Sequence, residues 1–414
     1  MPRSTGSPSH GRTRLSRLAP LFGVAALVLA ACAGPADDAG ALLDDETLEP
    51  EPPEGQEEAT VPDDPPPFPW ERVAAGEDVP GAEMLAEIIS GGPPPDGIPP
   101  IDAPVYESVE AASEWLGERD PVMLAEAEGI VRAYPLAILT FHEIVNTWYG
   151  DTPVVVTYCP LCNSGLNFER QLDGEVLSFG TSGRLWLSNL VMYDRGTRSL
   201  WSQFTGEVLV GDRLGDRLER LPMQIVSFGD VVARWPDIEV LSRETGHNRP
   251  YGENPYVGYD TSERPFLFDG PTDDTLAQMT RVVAAGNDVD DPVAYTWDLL
   301  QSERVVHDAI AGEPAVVFWA PGTASALDTR DISEGEDVGA TGVFSTVVDG
   351  EELTFVPDGE DRFVDEQSGS TWTVLGEAVD GPLEGTQLER LIHDDTFWFV
   401  QFAFQPETRV VGEA

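Results

Sequence analysis

The chain has 414 residues and a formal charge of −50, from 74 acidic and 24 basic side chains, and every basic one is arginine. So negative a surface repels phosphate backbones and excludes nucleic acid as a partner, while the absence of lysine excludes Schiff-base chemistry and a lysine-dependent phosphate loop. With 41% apolar and 9% aromatic residues there is still ample material for a packed core.

In chain order, residues 1–20 carry Arg3, Arg12, Arg14 and Arg17 and no acid, and an apolar run from Leu21 to Ala31 follows. A positive start, an apolar core too short to span a bilayer and small residues at its end predict a signal peptide over 1–31. Leu29-Ala30-Ala31-Cys32 resembles the bacterial lipobox, in which the thiol is acylated before cleavage. Acyl chains at Cys32 would make membrane lipid a partner and anchor an exported protein on the extracytoplasmic side without a transmembrane helix. Residues 32–70 are acidic and proline-rich, as in Glu49-Pro50-Glu51-Pro52-Pro53, and read as a disordered tether. Residues 71–119 form a lead-in of helix and loop.

From about residue 120 the sequence repeats itself. Ala133-Tyr134-Pro135-Leu136 recurs as Ala294-Tyr295-Thr296-Trp297, and Pro153-Val154-Val155-Val156 as Pro314-Ala315-Val316-Val317, both 161 residues on. Later matches include Asp194 and Trp201 with Asp365 and Trp372, and Leu218-Glu219-Arg220-Leu221 with Leu388-Glu389-Arg390-Leu391. The repeat predicts two tandem copies of one unit, 120–242 and 281–414, joined by a loop-rich segment over 243–280. Within the first copy, apolar spacing predicts a helix over Leu136–Tyr149, Pro153–Tyr158 reads as a buried strand, and Asp173-Gly174 marks a hairpin. The expected architecture is α+β, mainly antiparallel sheet with one or two helices per copy, the copies related by a pseudo-twofold axis in a monomer.

The second copy serves as an internal control. Where the first has Tyr158-Cys159-Pro160-Leu161-Cys162-Asn163, the second has Trp319-Ala320-Pro321-Gly322-Thr323-Ala324, so the fold does without the two thiols. Three readings stay open for Cys159 and Cys162. They form a metal knuckle for Cu or Zn with His142 as third ligand, the dithiol of an oxidoreductase or transferase with Cys159 as nucleophile and Cys162 resolving it, or an inert disulfide in a binding or scaffold module. His142, on the helix before the Cys strand, aligns with Glu303 and so is also particular to the first copy. The loop joining the copies brings His247, Arg249 and three tyrosines, Tyr251, Tyr256 and Tyr259. It reads either as a lid over the thiols or as a cover for the seam, with Arg249 and Tyr256 as contacts for a small molecule or protein partner. His393, beside Asp394 and Asp395, reads as part of a solvated turn, and His307 as structural.

The run Arg132-Ala133-Tyr134-Pro135-Leu136, then His142-Glu143-Ile144-Val145-Asn146, then Tyr158-Cys159-Pro160-Leu161-Cys162 resembles an exported prokaryotic family known as domain of unknown function 3179. Met192-Tyr193-Asp194-Arg195, Ser199-Leu200-Trp201-Ser202-Gln203 and Phe397-Trp398-Phe399 fit the same pattern. The likeness departs at Asn163, where such proteins more often have glycine. It implies that the Cys motif recurs, and it names no reaction.

Overall fold

The computed structural model describes residue 59 and residues 61–412; the signal segment, Cys32 and most of the tether lie outside the described residues. Packing begins within the last residues assigned to the tether. Phe68 and Pro69 are buried, and Pro69 opens a short helix, Pro69–Ala74, as its preset φ allows. The structure is mostly β, with six short α-helices among the described residues, in keeping with the α+β class. Among the described residues, no helix is long and apolar enough to cross a membrane.

Between residues 121 and 241 the chain builds three larger sheets and one two-stranded hairpin. In the first, the hairpin Pro121–Ala127 and Ile130–Pro135 is flanked by Met223–Ser227 on one side. On the other lies Glu239–Leu241, which runs parallel to Ile130–Pro135. The second is antiparallel, in the order Glu219–Leu221, Ser164–Glu169, Thr152–Cys159, Ile144–Tyr149. The third runs Phe179–Trp186, Asn189–Asp194, Leu200–Ser202, Val208–Val210, with Ile89–Ser90 of the lead-in added at its edge. Between 281 and 411 the order of elements is similar. The hairpin Arg281–Ala285 and Val293–Thr296 is flanked by His393–Phe397 and by Arg409–Val411, again parallel to the second hairpin strand. A three-stranded sheet and a four-stranded sheet follow.

One element departs from the pattern read in the sequence. The helix expected over Leu136–Tyr149 ends at His142, and Ile144–Tyr149 is a strand paired with Thr152–Cys159. The physical reason is local. Ile144, Val145, Thr147, Trp148 and Tyr149 are β-branched or aromatic and favour a pleated surface, and Glu143 breaks the helix in the left-handed region at φ 59°. The Asp173-Gly174 hairpin is found, with both residues at positive φ between Gln171–Leu172 and Glu175–Val176. Val154, Val155 and Val156 are all fully buried, as a strand covered on both faces requires.

The two halves share their cores. Val122, Leu124 and Val226 pack in one cluster with Val316, Phe318 and Phe344, and Phe397 and Phe399 pack with Cys159, Cys162 and Phe168. Two buried carboxylates organise the outer sheets. Asp194 accepts from the Trp201 indole at 3.0 Å and from Thr197, and Asp365 accepts from the Trp372 indole at 3.0 Å and from Ser368. Such acceptance by a charged group offsets the cost of removing it from water.

Candidate functional site

The Cys pair sits at the tip of the hairpin between Thr152–Cys159 and Ser164–Glu169. The turn closes with Cys162 N donating to Cys159 O at 3.1 Å and Asn163 N to Pro160 O at 3.2 Å. Asn163 lies at φ 51°, a left-handed position that glycine or asparagine fills most easily, which is why asparagine can stand there where glycine is usual. Both thiols are free and buried, 2% and 0% exposed, with sulfurs 3.2 Å apart, well beyond the ~2.05 Å of a disulfide. Their polar surroundings come from the hairpin of Phe179–Trp186 and Asn189–Asp194. The Ser188 carbonyl lies 3.6 Å from Cys162 Sγ, and Asn189 Nδ2 donates to the same sulfur at 3.3 Å. Asn189 is itself fixed by Gln203 and by the Phe204 amide. Burial pushes the Cys162 thiol well above its usual pKa, and the neighbouring Cys159 adds to the effect.

The turn that delivers Ser188 is unusual. Leu187 and Ser188 both adopt positive φ, 53° and 63°, in a two-residue hairpin whose type asks for Asn-Gly. Nothing in the letters Leu-Ser announces such a turn, so it was not legible in the sequence.

The three-ligand set expected of Cys159, Cys162 and His142 is not assembled. No group of three or more His, Cys, Asp or Glu side chains suited to a metal ion occurs among the described residues. The reason is the direction of the helix end. His142 is fully buried with Nδ1 2.7 Å from the Pro99 carbonyl and Nε2 2.7 Å from the Tyr251 hydroxyl. Burial lowers its pKa to about 4, so the ring is neutral at pH 7. His247 lies beside it, ring centres 5.5 Å apart, and the positive charge of Arg249 acts on both rings. Arg249 therefore belongs to this histidine–tyrosine group.

The joining segment does reach the Cys turn. Tyr259 donates its hydroxyl to the Leu161 carbonyl at 2.9 Å, and the Phe266 amide donates to that hydroxyl. Asn254 N and Gly258 N donate to Arg330 O and Asp328 O, so the same segment is also fastened to the second half. Tyr256 packs against the cluster that holds the thiols.

Beside the turn lies a cavity of about 270 Å³, just below the usual ~300–1,000 Å³ of small-molecule pockets. Leu161, which lies between the two cysteines, forms part of its wall with Leu185, Leu190, Tyr256 and Phe266. The lead-in closes the opposite side through Gly91–Ile98, fastened by Gly91 N to Gly183 O and Asp96 N to Thr181 O. Glu143 faces this cavity. Its residue is 7% exposed, no hydrogen bond or ion pair reaches its carboxyl among the described residues, and burial alone raises its pKa to about 8. Sequence reasoning named His142 and passed over its neighbour. The available signal was the internal comparison, because Glu143 aligns with Arg304, which also ends a helix at positive φ (62°) but carries the opposite charge.

Strand His393–Phe397 is likewise different from expectation. His393, Asp394 and Asp395 are buried and form no solvated turn, because the strand runs between the two halves. Ser164 donates to Asp394 at 2.6 Å, Thr341 donates to Asp395, and Thr396 and Phe397 donate to the Cys162 carbonyl. Burial raises both aspartates to about 7. The second half thus forms the floor under the Cys turn.

The chain belongs to the family described as protein of unknown function (DUF3179), whose model matches residues 95–408. That span includes the cavity-lining residues from Gly97 onwards, the Cys turn, the joining segment and strand His393–Phe397. No curated protein and no solved structure matches the chain.

Proposed function

We propose that this chain is an exported, Cys32-anchored binding protein. It is made of two copies of one unit and takes a small apolar ligand into the cavity walled by the Cys159–Cys162 turn of the first copy. One observation carries the reading: a cavity of about 270 Å³, lined mostly by apolar side chains, has in its wall Glu143, a residue more than nine-tenths buried whose carboxyl has no hydrogen-bond or ion-pair partner among the described residues. Buried polar groups are normally satisfied, and an exception facing a cavity marks a place where a ligand completes the structure. The two-copy origin is supported by the similar order of strands in the halves, the paired Asp194–Trp201 and Asp365–Trp372 contacts, and the matching helix ends at Glu143 and Arg304. The ligand site belongs to the first copy because only there does Gly91–Ile98 form the outer wall.

In this reading the thiols are a dithiol that closes to a disulfide in the oxidising extracytoplasmic space and holds the turn in place. Neither sulfur is open to a macromolecular substrate, which argues against Cys159 as a nucleophile acting on another protein. The test is thermal stabilisation of the full chain by small apolar molecules, compared with Leu161→Trp, which fills the cavity. Stabilisation in the wild type and its loss in the variant is the expected result; equal stabilisation of both would refute it. A soft metal retained one-to-one after anaerobic loading, and lost in Cys159→Ala, would replace this reading with a two-thiolate metal site.

A further inference from the structure

The polar groups of the cavity narrow the class of ligand. Besides Glu143, the charged side chain in the wall is Arg184. Its guanidinium stacks over the Trp70 ring at 3.9 Å and takes part in none of the ion pairs formed by the described residues, although acids outnumber bases by fifty across the chain. The other titratable groups nearby are committed elsewhere. Asp96 accepts from Tyr193 at 2.6 Å and from Thr181 N at 3.1 Å, and His142 is held by Pro99 and Tyr251. Thr181 Oγ1 donates to the Ile98 carbonyl. What the wall offers a ligand is one permanent cation and one carboxyl, beside the Tyr256 ring and among side chains that are otherwise mostly apolar.

Resting on the binding reading above, we propose that the ligand is a small apolar monocarboxylate, its tail among Leu161, Leu185, Leu190 and Phe266 and its head group between Arg184 and the carboxyl of Glu143. Burial keeps Glu143 protonated at neutral pH, so it donates a hydrogen bond to the ligand carboxylate as Arg184 supplies the charge. The cavity is too small for a peptide, a long acyl chain or a nucleotide, and its mostly apolar walls offer too few partners to satisfy the many hydroxyls of a sugar.

Three probes with one tail and different heads test this: hexanoate, 1-hexanol and hexylamine, measured calorimetrically on the full chain. Hexanoate is expected to bind at least tenfold more tightly than either of the others at pH 7. It should weaken about tenfold between pH 7 and pH 9, as the protonated fraction of Glu143 falls from about nine-tenths to about one-tenth. Glu143→Gln, which keeps a donor and cannot ionise, is expected to flatten that profile, and Arg184→Leu to remove the preference for hexanoate over hexanol. Hexylamine binding more tightly than hexanoate, and tighter still as pH rises, would overturn the ligand class and leave the cavity as a binding site. No binding of any probe would overturn both.

Discussion

Replacing Glu143 by glutamine gives the sharpest test of the cavity's electrostatics. In the folded chain burial raises this carboxyl from 4.5 to about 8. In the unfolded chain it ionises at its ordinary value, so between pH 4.5 and 8 the native state holds a proton that the unfolded state has lost. Native stability therefore declines through that window and levels off above it. Each pH unit across the window costs about 1.36 kcal/mol, so the full penalty at pH 8 is on the order of 4–5 kcal/mol, an upper bound because the cavity admits water. Glutamine matches the shape, stays neutral at every pH and tolerates the same helix-ending conformation. Urea denaturation of both proteins at pH 5, 6.5 and 8 is the assay, and comparing them cancels the contributions of Asp394 and Asp395. Glu143→Gln is expected to match the wild type at pH 5 and to gain several kcal/mol by pH 8. A difference between the two that stays constant across the three pH values would show that Glu143 is ionised in the fold, and would refute the reasoning.

Further outcomes follow from the geometry around the turn. Under native conditions both thiols of the reduced protein should alkylate slowly, and urea should release two reactive groups at once; fast labelling of Cys159 alone would restore it as a nucleophile. Mild oxidation should remove two hydrogens from the intact mass in the wild type and none in Cys162→Ser. Gly183→Ala places a Cβ against the Pro93 carbonyl at a backbone φ of 70°, so it should loosen the outer wall and abolish probe binding while thermal unfolding stays cooperative. Ser164→Ala removes the hydroxyl that donates to Asp394 and should cost about 1–3 kcal/mol at pH 8. The loss should shrink at pH 5, where a buried carboxyl raised to about 7 is already protonated; an equal loss at both pH values would show that the hydroxyl packs without supporting the charge.

Much of this protein is legible in its letters. The β-branched run of Pro153–Tyr158, the Asp173-Gly174 turn and the recurring Asp and Trp positions are local signals, because strand propensity, turn chemistry and spacing act over a few residues. The same locality limits them. Helical spacing continued past His142 in the sequence, while the left-handed backbone at Glu143 and the pairing with Thr152–Cys159 ended the helix in the fold.

The family, the mostly β class and the Cys-Pro-Leu-Cys turn as a feature of one half only can all be read from the chain's letters. What surrounds that turn was settled by folding. It directed the His142 ring to Pro99 and Tyr251, away from any three-ligand set with the thiols, and buried Asp394 beneath them from more than two hundred residues away. It also joined the lead-in at Gly91 to Gly183 so that Glu143 faces a cavity. A carboxyl's pKa and a cavity's walls depend on groups brought together by folding, and their separation along the chain carries no record of that meeting.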